Sequence, residues 1–323
     1  AGGWEQLKYA IHFGADAVYL ASDRFGMRQR ACNFALDELA RAVEYAHDHG
    51  VTVHVTCNIV MHDADLDELA RHLFAMRDAG VDALIVGDLG AFSLARRLVP
   101  ELELHVSTQA SGSNSEAAKV WHSLGAKRIV CARELSVADI SRMRAEIPDD
   151  LELEAFVHGS MCMAYSGRCL ISDYLTGRSA LTGNCTQSCR WNYTLEEEKR
   201  PGVHYPIEED AHGTYLMNAQ DLNMLSHLAE LREAGVDSVK IEGRNKKAFY
   251  VATVVNAYRQ VLDGADPSLF QTELETVSHR PYSTGFYFGP AHQAYQTDAR
   301  EQSREWAAEV LDVEKCAGGY RAE

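Results

Sequence analysis

No run of eighteen apolar residues occurs anywhere in the 323-residue chain, so no membrane-spanning helix is expected. No secretory signal opens it either, and the expected compartment is the cytoplasm. Cationic residues are scarce: 31 Lys and Arg stand against 47 Asp and Glu, a formal net charge of -16. Generic nucleic-acid binding is therefore disfavoured, because phosphate affinity comes from clustered Lys and Arg. A local basic groove is still allowed. Eight cysteines are too few for a disulfide scaffold. Without a signal peptide, clustered thiols read as ligands or redox groups rather than bridges.

What is present is a soluble globular composition, 46% hydrophobic and 24% charged, in a chain long enough for one large α/β barrel or two ordinary domains. Four stretches share a pattern: GADAVYL at 14, GVDALIV at 80, GAKRIVC at 125 and GVDSVKI at 235. Each follows an amphipathic segment. The Gly suits a helix C-terminus that needs positive φ, and the apolar run suits a buried parallel strand. Between them, LDELARAVEYAHDHG places Leu36, Leu39, Ala40, Val43 and Ala46 on one helical face. DLDELARHLFAMRDAG does the same with Leu66, Leu69, Ala70 and Leu73, with Asp65 and Glu68 resembling a capping box. DLNMLSHLAELREAG aligns Leu222, Leu225, Leu228 and Leu231.

This gives eight helices, beginning near 4, 36, 66, 91, 114, 136, 221 and 246, and seven strands, near 18, 53, 84, 104, 128, 153 and 239. Alternation of this kind means a parallel sheet. The expected fold is a (β/α)8 TIM-type barrel over 1–290 that lacks its first strand, with a Cys-rich insertion at 159–220 after a late strand. A hairpin is expected within 192–218. Residues 291–323 are expected to begin a truncated C-terminal β module.

Barrel active sites lie at C-terminal strand ends. Those ends carry Asn58, Asp88, Ser107, Gln109, Arg133, Glu134, Glu154, His158, Lys240, Glu242 and Arg244. Glu242, Arg244, Arg133, Gln109 and His158 are the catalytic candidates. KIEGRNKK, 240–247, is the best anion site, offering Lys240, Arg244, Lys246 and Lys247 near a helix N-terminus.

The long segment after the strand near 153 hangs over this rim and is too long for an ordinary connection. It holds Cys162, Cys169, Cys185 and Cys189, with six, fifteen and three residues between neighbours. Only the last pair has the spacing of a zinc knuckle. An iron–sulfur cluster tolerates irregular spacing. Spacing alone leaves zinc and a cluster both open. The remaining cysteines, Cys32, Cys57, Cys131 and Cys316, are scattered and read as lone thiols. No Ser-His-Asp order, HExxH helix or paired Cys-His nucleophile signature is present.

EAFVHGSMCMAYSGRCLIS, 154–172, closely resembles the signature of the collagenase-like peptidase U-32 family. VSTQAS, CARELS, GNCTQSCRWNY, YLMNAQDL, GVDSVKIEGR and SHRPYSTGFYFG resemble that family too, in order, over nearly the whole chain. The branch it looks most like makes 5-hydroxyuridine at the tRNA wobble position. Related branches hydroxylate ribosomal RNA or the ubiquinone ring without oxygen. The resemblance implies an oxygen-sensitive 4Fe–4S cluster on Cys162, Cys169, Cys185 and Cys189, with prephenate as hydroxyl donor and co-substrate and tRNA as partner. A dicarboxylate donor suits Arg133, Lys240 or Arg244. A stripe of Arg190, Lys199, Arg200 and Lys246 would face the RNA. The alternatives are a genuine U-32 peptidase and a quinone-ring hydroxylase component.

Overall fold

The structure, a computed structural model, describes residues 1–27, 33–162, 169–191 and 220–291. It also describes 194–196, 199, 201–202, 204–206, 302–304, 313–316 and 319–322. Helices and strands alternate from the start: α1 Trp4–His12, β1 Ala17–Leu20, α2 Leu36–Asp48, β2 Thr52–Cys57, α3 Asp63–Asp78, β3 Ala83–Val86, α4 Leu89–Leu98, β4 Glu103–Val106, α5 Ser115–Ser123, β5 Arg128–Val130, α6 Val137–Glu146 and β6 Glu152–Ser160. Then come α7 Ile171–Thr176, the strands β7 Thr194–Glu196, β8 His204–Pro206 and β9 Asp221–Asn223, α8 Leu228–Glu233, β10 Ser238–Ile241, α9 Ala248–Leu262, α10 Ser268–Leu274 and β11 Tyr282–Ser283. Two strands at the end, β12 Val313–Cys316 and β13 Gly319–Ala322, pair antiparallel.

All seven expected strands form, and they pair in parallel in chain order from β1 to β6, with β10 parallel on β6. The glycines before four of them, Gly14, Gly80, Gly125 and Gly235, all have φ between 78 and 100. They close the preceding helices in a conformation that costs a side-chain-bearing residue steric strain. One side of the strands is apolar: Val53, Val55, Leu84, Val86, Leu104, Val106 and Ile129 join the core with the helices. The other side is not. His54, His105, Arg128, Glu154 and Lys240 lie there together, and a strand's two-residue period allows this mixture within one buried element.

The parallel run does not close on itself. Among the described residues β1 pairs only with β2, and β10 only with β6. Between them lies a groove of about 700 Å³ lined by Ala17, Val18 and Tyr19 on one side and Ser238, Val239 and Lys240 on the other. Helices α1 and α9 meet behind it.

Three local expectations need correction. The segment at 221 begins as β9, not as a helix; helix α8 starts only at Leu228. Leu222, Leu225, Leu228 and Leu231 are all buried, but their strict three-residue spacing spans a strand, a 3-10 turn and a helix. The cap of α3 lies a turn earlier than expected: Asp65 accepts from His62 N at 2.8 Å, so Asp65 is the partner and not the first cap residue. In α2 the buried face holds Ala42 rather than Ala40, while Leu36 is exposed. The hairpin expected within 192–218 is present as antiparallel β7 and β8. No helix among the described residues is long and apolar enough to cross a membrane.

Candidate active site

Strand β6 has nine residues, the longest in the sheet, and its two ends do different things. Its first part pairs with β5 and β10, as far as His158 opposite Ile241; Gly159 and Ser160 run past them, and His158, Gly159 and Ser160 pair antiparallel with β9. Gly159 makes this overshoot possible. Its φ is +112, and a Cβ there would lie 2.6 Å from the Glu242 carbonyl oxygen. That close crossing brings the turn after β10 against β6, with Glu242 N donating to His158 O at 2.9 Å. Cys162 follows two residues after β6 ends.

The rest of the cysteine segment folds around one buried hydroxyl. Ser172, in α7, donates to Arg178 O at 2.6 Å, accepts from Thr186 N at 2.9 Å and lies 3.0 Å from Thr186 Oγ1. The arm carrying Cys169 is thereby fixed to the arm carrying Cys185 and Cys189. Gln187 takes a left-handed φ of 57 and its N–H donates to Cys185 Sγ at 3.3 Å. Val60 N donates to Leu181 O at 3.0 Å, tying the segment to the loop after β2.

As a result Cys162, Cys169, Cys185 and Cys189, all half-buried, line one cavity of about 100 Å³. Arg133, Lys240, Glu242, Arg244, Gln109, Asn58 and Ser107 line it too. The apolar wall, which the sequence reading did not name, includes Tyr19, Met27, Ile85, Val130 and Phe156. Tyr19, Ile85, Val130 and Phe156 lie in β1, β3, β5 and β6, where position along the strand was the available signal; Met27 lies in no strand and had none. Among the described residues, no group of three or more His, Cys, Asp or Glu side chains is placed to hold a single metal ion.

Three buried cations are held from behind. Arg133 lies 3.9 Å over the Phe156 ring, donates to Ser160 O at 3.1 Å and approaches Glu242 at 3.8 Å. Its Nε has no hydrogen-bond partner among the described residues. Arg244 donates to Thr56 Oγ1 at 3.3 Å and to Asn33 Oδ1 at 3.0 Å. Lys240 donates to Glu154 at 2.6 Å and sits 4.5 Å over the Tyr19 ring. Burial by itself raises the Glu154 carboxyl, but Lys240 and then Arg128 outweigh it and hold it at about 2. Asn58 bridges the rim, accepting from Met27 N and donating to Ser107 Oγ.

Several rim residues point elsewhere. His158 does not line the cavity. Its ring contacts Tyr258 OH at 3.3 Å and Tyr282 OH at 3.4 Å, on the side facing α9, and burial pushes it down to about 3. Any part it plays passes through β6 and those tyrosines. Asp88 caps α4, accepting from Ala91 N at 2.9 Å. Glu154 lies behind Lys240. Lys246 donates to Ser278 O, and Lys247 is the cap residue of α9. Lys199 is exposed; the Arg190 side chain and Arg200 lie outside the described residues, as does Cys32. Burial pushes the Cys57 and Cys131 thiols up to about 12, as expected of inert core thiols.

The family model for Peptidase family U32 matches residues 2–297. The chain belongs to that family. Among curated relatives, it is 39% identical over 327 residues to "tRNA hydroxylation protein P1" of Bacillus subtilis (strain 168), covering 98% of this chain and 76% of that one. It is 35% identical over 368 residues to "tRNA hydroxylation protein P" of Escherichia coli (strain K12), covering 100% and 80%. It is 41% identical over 254 residues to the E. coli "23S rRNA 5-hydroxycytidine C2501 synthase", covering 79% of this U32 chain and 37% of that protein.

Proposed function

We propose that this U32 protein is an RNA-modifying hydroxylase that forms 5-hydroxyuridine at the tRNA wobble position. Cys162, Cys169, Cys185 and Cys189 would hold a 4Fe–4S cluster, and a dicarboxylate, prephenate, would donate the hydroxyl. The observation that carries this reading is that four cysteine side chains and three buried cations line one cavity. The names of the relatives, two for tRNA hydroxylation and one for an rRNA hydroxycytidine synthase, support RNA as the substrate.

The donor set fits the cofactor. Four half-buried thiols line one cavity, and thiolate donors suit the soft iron of a cluster. A cluster held by four thiolates is an anion, and the lining offers three cations against one carboxylate, Glu242. When bound, the cluster supplies electron transfer. The protein's own residues do the rest. Arg133 and Arg244 present planar forks that match carboxylates. Phe156 and Ser160 fix the first; Thr56 and Asn33 fix the second. Glu242 is the acid–base group at the cavity, and Gln109 and Asn58 offer amides to orient a bound molecule.

The peptidase reading gains little here. No histidine lines the cavity among the described residues. The buried pair Ser22 and His72, 2.6 Å apart, lies outside it, and Ser22 Oγ is also 2.9 Å from Arg24 O.

In its architecture we read the parallel run as a (β/α)8 barrel whose eighth strand position is the groove between β1 and β10.

Anaerobic purification with iron and sulfide assays tests the cofactor; zinc at unit stoichiometry would replace it. A deletion strain is expected to lose 5-hydroxyuridine-derived modifications from its tRNA mass spectrum, with Cys169→Ala failing to restore them. Persistence of the modification with no paralogue present refutes the tRNA reading. Gelatin degradation that ignores cysteine substitutions would restore the peptidase.

A further inference from the structure

The two arms that carry Cys169, Cys185 and Cys189 also carry two exposed aromatic side chains. Tyr174, in α7, is 89% exposed, and Trp191, two residues past Cys189, is 49% exposed. Leu170 and Leu175 flank Tyr174 and are exposed as well, and so is Val60, on the loop to which the segment is tied. Helix α7 packs on the 3-10 turn Ser188–Arg190 that leads into Trp191, so both aromatics ride on the same small unit. That turn is closed by Trp191 N donating to Ser188 O at 3.0 Å. Scattered exposed apolar residues need no explanation, but a group gathered beside a cavity marks an interaction surface.

Resting on the RNA reading above, we propose that Tyr174 and Trp191 form a stacking platform for unpaired bases of an RNA loop, beside the target base. Three points carry it. A base can be modified only once it leaves the helical stack, and its unpaired neighbours must then rest on the protein surface outside the cavity. Every base has a π-face, so aromatics at the rim serve any loop sequence. Finally, the chain carries a net charge of -16, so phosphate contacts are a poor source of affinity and stacking must supply a larger share. Both side chains are exposed, so replacing them costs little folding stability.

The test is anaerobic binding of a labelled anticodon stem-loop RNA, with a duplex of the same sequence as control, over a range of salt concentrations. The full holoprotein is compared with Tyr174→Ala, Trp191→Ala and the conservative Tyr174→Phe and Trp191→Phe. Each Ala variant is expected to bind the loop about tenfold or more weakly. Each Phe variant should stay near wild type, with the salt slope, iron content and visible spectrum unchanged. Loop binding by the Ala variants equal to wild type overturns the platform while leaving the RNA reading intact. Wild-type protein that binds neither RNA overturns both. If wild type is a dimer by light scattering and the Ala variants are monomers, the patch is a contact between copies and the proposal falls.

Discussion

Replacing Lys240 with Met removes an ammonium from a buried network while nearly keeping its volume. Glu154 then loses the 2.6 Å partner that, with Arg128, takes its carboxyl from 4.5 to about 2. At about 1.36 kcal/mol per pH unit that depression is worth about 3 kcal/mol at neutral pH. Arg128 stays 3.0 Å away and keeps part of it. The expected loss is about 2 to 3 kcal/mol, toward the low end of what breaking a buried pair costs. The sign of the pH dependence follows. A depressed carboxyl stabilises above its unfolded value of 4.5, and this contribution fades as pH falls toward 2. In Lys240→Met the carboxyl rises and takes up a proton on mild acidification. The deficit against wild type is therefore largest at pH 7 and shrinks by pH 4. Adding Glu154→Gln should recover most of it. Urea unfolding of the three proteins at both pH values measures this. A deficit independent of pH, or a double variant no better than the single, would show that packing rather than charge makes Lys240 matter.

His158 is neutral when folded, with its value lowered from 6.5 to about 3 by burial. The unfolded chain binds a proton that the folded chain refuses, so about 2 kcal/mol is lost from this group between pH 7 and 5. His158→Phe should flatten the stability–pH curve by that amount; an unchanged slope would refute the burial argument. Gly159→Ala should cost roughly 3 kcal/mol, since a left-handed φ and the Glu242 carbonyl both oppose a Cβ; thermal melts check it, and a neutral result means the crossing is looser than described. On the proposed reading of a prephenate-dependent, cluster-bearing hydroxylase, Arg244→Ala and Arg133→Lys should each raise the prephenate concentration needed for activity about tenfold or more, through loss of fork geometry. The visible spectrum of the cluster should persist; its disappearance would assign these arginines to cofactor assembly instead.

Local chemistry in the sequence was enough for the strand repeat, because a Gly needed at positive φ and a short apolar run are properties of a few adjacent residues. It was also enough to single out the four cysteines and the cations at the strand ends. Tertiary structure decided what those ends face. His158 and Arg133 both stand at the rim in sequence, yet one points toward α9 and the other into the cavity, because β6 overruns its neighbours and crosses the Glu242 turn at Gly159. The leucines at 222, 225, 228 and 231 read as one helix because their spacing is helical. Pairing of Asp221–Asn223 with the overrun of β6 makes the first of them a strand instead. The burial of Lys240 against Glu154, 86 residues apart, has no local signature at all. Charge pairs inside a sheet are set by which strands lie side by side, and adjacency in space is what a one-dimensional pattern does not contain.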